Sequence, residues 1–227
     1  MYIIGVSSAR LQPWPTRNGV ARVFREIGQD FYARGWVLGT SGNFSAVVSR
    51  KPVRLVITAS SVSKGAIGSS DVLTIDGDGK PIGKPSARPS AETFLHLAVV
   101  RTRGAGAVLH THSVWSTLLS DLHAAESGLT LTGFEMLKGL EGVRTHQHSE
   151  WVPIFDNDQD MVRLSQRVEK VLQERPGTHG FLLRGHGLYT WGDDLAQARR
   201  HIEIFEFLLE TDGRMKAMGT NGAHQHS

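Results

Sequence analysis

The 227-residue sequence contains no cysteine. This absence excludes disulfides and thiolate metal ligands, fits a reducing compartment, and leaves histidine and carboxylate side chains as the strong metal ligands. Long apolar runs are also missing, since none approaches the roughly 18 residues of a membrane-spanning helix. Because the N-terminus has no apolar segment flanked by basic residues either, we expect a cytoplasmic protein with no membrane partner.

Clustered charge of one sign is absent as well. The 25 Lys and Arg residues against 22 Asp and Glu residues leave a net charge of +3, and the basic residues are scattered along the chain. A nucleic-acid-binding surface needs clustered basic residues, so we expect no nucleic-acid partner. The glycine-rich motifs of nucleotide-binding loops, G-x-x-x-x-G-K-[ST] and G-x-G-x-x-G, are not present.

No internal repeat, linker or low-complexity segment divides the chain. Its length and its hydrophobic fraction of 40% suit one domain over residues 1–227, with a variable lead-in at 1–15 and a disordered tail at 219–227. Strand-like and helix-like patterns mix without strict alternation. The sequence therefore predicts a single α/β domain of three αβα layers around a central mixed, largely antiparallel sheet.

A His-x-His pair follows the apolar residues 107–109. Side chains alternate along a strand, so His110 and His112 face the same side, about 7 Å apart along the chain. Two imidazoles on one face of a strand can form half of a divalent metal site. Spacing alone is weak evidence, because two other His-x-His pairs, at 146–148 and 224–226, lie in polar surroundings that favour solvated side chains.

A catalytic zinc usually has three protein ligands and one open position. His186 is the best third candidate, because Gly185 and Gly187 permit a sharp bend after an apolar run. The alternative is a turn histidine with no ligand role. His96, inside a helical pattern, is predicted to have a packing role. Three histidines without cysteine favour Zn²⁺, with Mn²⁺, Fe²⁺ or Co²⁺ also compatible.

Two loops rich in small residues, together with a helix start, offer the backbone N–H groups that bind phosphate. Taken singly, each is more often an ordinary turn. Ser90 is predicted to be the N-cap of a helix with Glu92 in its first turn. The candidate phosphate-binding residues are Ser41, Gly42, Asn43, Ser60, Ser61, Lys64 and Ser90.

Two carboxylates are candidates for the acid/base. Glu92 stands in a first helical turn, where the helix dipole favours an acidic residue whatever its function. Glu135 follows Gly133 and Phe134 and has an equally ordinary explanation as a helix-start residue. The residues themselves leave the choice between Glu92 and Glu135 open.

Five motifs follow one another along the chain: Ser41-Gly42-Asn43, Ser60-Ser61, Pro89-Ser90-Ala91-Glu92, His110-Thr111-His112 and His186-Gly187. In this order they resemble the class II aldolase/epimerase family. The resemblance covers residues 20 to 212 and implies one Zn²⁺ per subunit, bound by His110, His112 and His186. It implies a substrate phosphate in the two small-residue loops, with Ser90 assisting, and a fourfold-symmetric homotetramer with active sites near subunit interfaces.

Within the family, the segments 62–65, 135–139 and 184–192 resemble the branch of dehydratases that act on 5-methylthioribulose 1-phosphate in methionine salvage. This implies a lyase that removes water to give 2,3-diketo-5-methylthiopentyl 1-phosphate through a zinc-stabilised enediolate, with Glu135 as acid/base. The alternative is a class II sugar-phosphate aldolase or 4-epimerase that uses Glu92. A non-catalytic interaction module is a third hypothesis, against which the three retained histidines argue.

Overall fold

The computed structural model describes residues 15–83 and 87–219. The predicted lead-in up to residue 14 and the predicted tail from residue 220 lie outside the described residues. The helices are α1 (Arg17–Ala33), α2 (Thr93–Arg103), α3 (Val114–Leu122), α4 (Met161–Glu174) and α5 (Leu195–Ala217). The strands are β1 (Asn43–Arg50), β2 (Val53–Thr58), β3 (Val72–Asp76), β4 (Ala107–Thr111), β5 (Gly128–Thr132), β6 (Ser149–Phe155), β7 (Gly180–Leu183) and β8 (Gly187–Gly192).

The eight strands form one sheet in the order β3-β2-β1-β4-β8-β7-β6-β5. Among the described strand pairs, only β6 and β7 are parallel, and the others are antiparallel. The predicted mixed, largely antiparallel sheet is therefore confirmed. None of the described helices is both long and apolar enough to cross a membrane.

Helices cover both faces of the sheet, so neighbouring side chains along a strand are buried in two different cores. On β4, Leu109 packs into the core formed with α1, α3 and α5, whereas its neighbour Val108 packs into the core formed with α2 and α4. Phe24 of α1 and Phe205 of α5 lie in the first core, and Val168 of α4 lies in the second. The result is the predicted arrangement of three αβα layers.

The helix starts follow ordinary capping chemistry, with one departure from the sequence prediction. The side chains of Ser113 and Asp194 accept hydrogen bonds from the first turns of α3 and α5, as N-caps do. The prediction that Ser90 does the same for α2 is wrong. The Ser90 hydroxyl accepts from the backbone N–H of Glu92 at 3.3 Å, two residues on, which makes a local turn and delays the helix to Thr93.

The strand register defines two ends of the sheet. At the end that we call upper, β4 ends at Thr111, β7 ends at Leu183 and β8 begins at Gly187. At the opposite, lower end, β6 begins at Ser149 beside Thr132, where β5 ends. Segments that follow β4 and β7 therefore meet at the upper end, whereas the segment that follows β5 lies at the lower end.

Candidate metal centre

The His-x-His pair lies where β4 ends, as its alternation predicts. His110 is fully buried, and its ring stacks on the ring of Tyr189 on the adjacent strand with centroids 3.8 Å apart. His112 follows the strand, and its backbone N–H donates to the carbonyl of Trp36 at 2.7 Å. The two Nε2 atoms are 2.8 Å apart. Both imidazoles thus point to one place at the upper end.

His186 joins them from the bend between β7 and β8. Gly185 adopts a φ of 61°, in the left-handed region that favours glycine. A Cβ on Gly187 would lie 2.0 Å from the carbonyl oxygen of Thr111, so only glycine permits this close approach to β4. The His186 Nε2 lies 3.0 Å from that of His112 and 3.4 Å from that of His110.

The donor atoms suit a divalent metal. His110 Nδ1 lies 2.9 Å from the carbonyl oxygen of Leu188, which can only accept, so the proton is on Nδ1 and the Nε2 lone pair is free. Burial holds the pKa of His110 well below its ordinary value and lowers that of His112 to about 4, so both are neutral at neutral pH. Ligands of a tetrahedral zinc are about 3.3 Å apart, close to the separations of these three nitrogens.

Glu92 completes the cluster. Its Oε1 lies 3.1 Å from the Nε2 of His186 and 3.6 Å from that of His110. Burial opposes ionisation, but the imidazoles of His110 and His186 and the amide of Asn43 outweigh it, so the pKa of Glu92 is below its usual range. We call Glu92, His110, His112 and His186 the upper cluster; their ligating atoms all lie within 4.8 Å of one another.

A chain of buried hydrogen bonds holds the other oxygen of Glu92. The Asn43 amide donates to Oε2, and the Asn43 carbonyl oxygen accepts from Nε2 of His96. The Nδ1 of His96 then accepts from the Ser45 hydroxyl at 2.7 Å. A carboxylate only accepts, so the Asn43 amide must donate to Glu92, the Asn43 carbonyl oxygen must accept from Nε2 of His96, and Nδ1 of His96 must accept. His96 is therefore neutral, in keeping with its pKa, which burial lowers to about 4.

His96 therefore has a role that the sequence prediction of core packing missed. It is fully buried, as predicted, but both of its ring nitrogens are committed to the chain that ends on Glu92. A signal was present in the sequence. Glu92 and His96 are four residues apart, which places them on the same side of the start of α2.

The predicted phosphate-binding residues line one cavity beside the upper cluster. Its volume is ≈ 180 Å³, and His112 and Glu92 form part of its wall. Lys64 is buried, and its ammonium donates to the carbonyls of Thr40 and Val62 at 2.8 and 2.6 Å. Burial lowers the pKa of Lys64 to about 8 against the opposing effect of Glu92. All seven candidates, Ser41, Gly42, Asn43, Ser60, Ser61, Lys64 and Ser90, are in the lining.

Ser61 in this cavity has a φ of 61°, one of two described non-glycine residues in the left-handed region. Such a conformation costs free energy and is concentrated at functional sites. It turns the chain between β2 and the 3-10 helix Lys64–Ala66, which brings Lys64 back to the cavity.

Glu135, by contrast, is not brought to the upper cluster of its own chain. Its side chain is 69% exposed at the lower end and pairs with Lys138 and, at 3.6 Å, with His146. The reason is topological, because β5 runs antiparallel to β6 and ends at the lower end. β5 is also four strands from β4, a lateral distance of roughly 20 Å.

The sequence model of the class II aldolase and adducin N-terminal domain matches residues 22–212. The chain belongs to this family. A methylthioribulose-1-phosphate dehydratase of Azotobacter vinelandii is 44% identical to it over 205 residues, which cover 90% of this chain and 98% of that protein. A second, from Sorangium cellulosum, is 43% identical over 204 residues, which cover 89% of this chain and 95% of that protein.

Solved structures of the family share the fold at lower sequence identity. The L-fuculose-1-phosphate aldolase from Thermus thermophilus superposes with a TM-score of 0.70 at 24% identity, covering 91% of this chain and 100% of that chain. A sugar-phosphate aldolase from Thermotoga maritima gives a TM-score of 0.67 at 18% identity, with 89% and 97% covered. The predicted class II aldolase-like fold is confirmed.

Proposed function

We propose that the protein is a zinc-dependent hydro-lyase of methionine salvage. It removes water from 5-methylthioribulose 1-phosphate to give 2,3-diketo-5-methylthiopentyl 1-phosphate. The observation that carries the proposal is the shared wall between the upper cluster and the cavity lined by the phosphate-binding candidates. The dehydratase relatives at more than 40% identity favour this reaction over the other reactions of the fold.

The metal we propose is one Zn²⁺ per subunit, held by His110, His112 and His186. Three imidazoles in a chain without cysteine are a typical catalytic zinc set. Bound there, zinc supplies the Lewis acidity that polarises the C2 carbonyl of the ketose and makes its C3 proton acidic.

The cavity beside the metal fits the phosphate at C1 of the substrate. Lys64 supplies a buried positive charge, and the Ser60-Ser61 turn supplies two small side chains with hydroxyl groups at the same wall. A phosphate anchored there fixes C2, only one carbon further on, beside His112 and Glu92. This placement is the orientation that the reaction requires.

The proton transfer requires a carboxylate, and the two candidates lie at opposite ends of the sheet. We assign the acid/base to Glu135 of the partner subunit, because Glu135 of the same chain lies beyond the lower end. Lys138 lowers the pKa of Glu135, so the carboxylate is ionised and ready to accept a proton. The family resemblance implies a homotetramer with active sites near its interfaces, which provides such a neighbour.

The reaction then follows from the positions of these groups. Glu135 of the partner subunit takes the proton from C3, and the electron pair of that C–H bond moves towards C2. The C4 hydroxyl leaves as water with a returned proton, which makes the C3–C4 double bond of an enol. The enol takes up a proton at C4 and becomes the 2,3-diketone, so the net change is the loss of one water.

Glu92 is the specific observation that favours the second candidate function. Its Oε1 lies within 3.1 Å of the ligand atom of His186 in the same chain, where the acid/base of a sugar-phosphate aldolase or 4-epimerase is expected. In the dehydratase, we assign Glu92 a different role. Asn43 and His96 hold its carboxylate in place, and the carboxylate in turn orients the metal centre.

Product analysis separates the two functions. Purified protein is given 5-methylthioribulose 1-phosphate or L-fuculose 1-phosphate, with and without a chelator. We expect the first to yield the diketone in a chelator-sensitive reaction, and we expect Glu135→Gln to lose turnover by about 10²–10⁴ with its zinc content unchanged. Release of dihydroxyacetone phosphate, with Glu135→Gln fully active and Glu92→Gln inactive, would identify the aldolase instead.

A further inference from the structure

A second group of metal-ligating side chains lies at the lower end of the sheet. The Nε2 of His148 and the Nδ1 of His179 lie 2.8 and 3.0 Å from the same oxygen of Glu150. We call these three residues the lower cluster; their ligating atoms are within 4.8 Å of one another. The sequence predicts a solvated His148, and that prediction is wrong, because its ring reaches a carboxylate inside the protein.

The cluster is built on fixed backbone. Glu150 is 1% exposed and is the second residue of β6, while His179 directly precedes β7, the parallel neighbour of β6. The other carboxylate oxygen of Glu150 accepts from the backbone N–H of His179 at 2.9 Å. An ionised carboxylate buried to this degree must have a positive charge beside it.

The second nitrogen of His179 indicates which ligand atom faces the cluster. Its Nε2 lies 2.8 Å from the carbonyl oxygen of Glu141, to which it must donate. In a neutral ring this leaves the Nδ1 lone pair directed at Glu150. His110 has the same arrangement in the upper cluster, with one nitrogen on the backbone carbonyl of Leu188 and the other facing its partners.

The two imidazoles of the lower cluster can be reached from solvent. The side chains of His148 and His179 are 30% and 16% exposed, so an ion from solvent can reach them. A water molecule from solvent can then occupy the coordination position that two imidazoles and one carboxylate leave open.

We propose that the lower cluster is a second divalent metal site, with zinc bound by Nε2 of His148, Nδ1 of His179 and a carboxylate oxygen of Glu150. Two imidazoles and one carboxylate, without thiolates, form a set that zinc accepts readily. Without the metal, protons on the two imidazoles bridge to Glu150, so the fold does not depend on the ion. The site is separate from the upper cluster, which lies at the other end of the sheet.

Metal binding at this site would hold the segment that connects β5 to β6. The cluster contacts that segment at two points, the carbonyl of Glu141 and the ring of His148. The same segment carries Glu135, whose carboxylate lies 3.6 Å from His146. The expected effect is structural: an ordered lower end, with protection of this segment from proteolysis and hydrogen exchange.

The test is the zinc stoichiometry of the metal-free full-length protein, titrated in competition with a chromophoric chelator. We expect two equivalents for the wild type and one for His148→Ala. The matched control is His146→Ala, because His146 belongs to the same His-x-His pair but lies outside the cluster, and it should keep two. His112→Ala should lose the other equivalent and keep the one at the lower cluster.

A wild type that binds one equivalent, lost in His112→Ala and kept in His148→Ala, would overturn the proposal. If His148→Ala fails to fold, Glu150→Gln replaces it. That variant keeps the shape and the acceptor oxygen of the side chain but removes the charge that a metal needs. It should also bind one equivalent, and two equivalents in Glu150→Gln would equally overturn the proposal.

Discussion

The two clusters use similar side chains in opposite ways. In the upper cluster, the Nε2 atoms of three imidazoles face one another at 2.8, 3.0 and 3.4 Å. In the lower cluster, both imidazoles face one carboxylate, which accepts from each of them. The upper arrangement therefore suits a bound cation, whereas protons can replace a metal in the lower one.

The surroundings of the carboxylate also differ between the two clusters. The carboxylate of the upper cluster is held from behind by Asn43 and His96, and a cavity lined with phosphate-binding candidates lies in front of it. The carboxylate of the lower cluster is itself the buried centre to which the other groups attach. The comparison separates a centre arranged for chemistry from one arranged for holding chain segments together.

The largest expected difference in turnover is between two variants that each lack one imidazole, one at the upper end and one at the lower end. His112→Ala should abolish turnover of 5-methylthioribulose 1-phosphate, because a site with two imidazoles holds zinc poorly and leaves the substrate carbonyl unpolarised. His148→Ala should lose much less turnover, since it removes no ligand of the upper zinc and keeps Glu135, although the segment that carries Glu135 becomes less ordered. Steady-state kinetics with added zinc measure both. Equal losses in the two variants would erase the functional distinction between the clusters.

A smaller effect is expected from His96, which acts on the upper cluster through Asn43. His96→Phe keeps the ring volume but removes the donor to Asn43, so Glu92 loses its fixed orientation. We expect zinc affinity and turnover to fall by about 10- to 100-fold, the usual range for such indirect partners of a metal. His96→Gln, whose amide can still donate to Asn43, should recover part of the loss. A fully active His96→Phe variant that binds zinc normally would contradict the role.

The smallest effect concerns Glu206, which supports the strand between the two histidine ligands. It is fully buried on α5 and accepts from the Thr111 hydroxyl at 2.6 Å. Burial raises the pKa of Glu206 from 4.5 to about 7, against the opposing hydrogen bonds from Ser113 and Thr111. Between these two values the folded protein holds a proton that the unfolded chain has lost, so stability decreases as the pH rises through this window.

Glu206→Gln keeps an acceptor for Thr111 and removes the ionisation. It should therefore stabilise the protein at pH 8 by up to about 3 kcal/mol and change little near pH 5. Urea unfolding at the two pH values measures the difference. Glu203→Gln on the same helix, at a side chain 36% exposed, is the control and should show no such pH dependence. A Glu206→Gln effect of equal size at both pH values would contradict this explanation.

The sequence was sufficient for features that depend on local pattern. Alternation along β4 predicted that His110 and His112 share a face, and the glycines around His186 predicted the bend that returns it to them. The phosphate-binding candidates were chosen as separate loops, and all of them line one cavity. In each case a strand end or a glycine turn fixes the backbone, so the identity of a few neighbouring residues determines where the side chain points.

Features that depend on strand order were beyond the sequence. His96 and Asn43 are 53 residues apart, and His148 and His179 are in contact only because β6 and β7 are parallel neighbours. The position of Glu135 depends on the direction in which β5 runs. A motif shows that a carboxylate is present, but the register of the sheet decides which end of the molecule it occupies.

In the proposed homotetramer, the upper end of one subunit works with the lower end of another, and mixed oligomers can measure this cooperation. Glu135→Gln and His112→Ala subunits carrying different tags are co-expressed, and the mixed oligomers are purified through both tags. Each variant alone should be inactive. A mixed oligomer contains sites that pair an intact metal centre with an intact Glu135 of the partner subunit, about one quarter of all sites in random assembly. We predict recovery of about that fraction of wild-type turnover. Mixed oligomers as inactive as their parents would show that Glu135 of the partner subunit is not the acid/base.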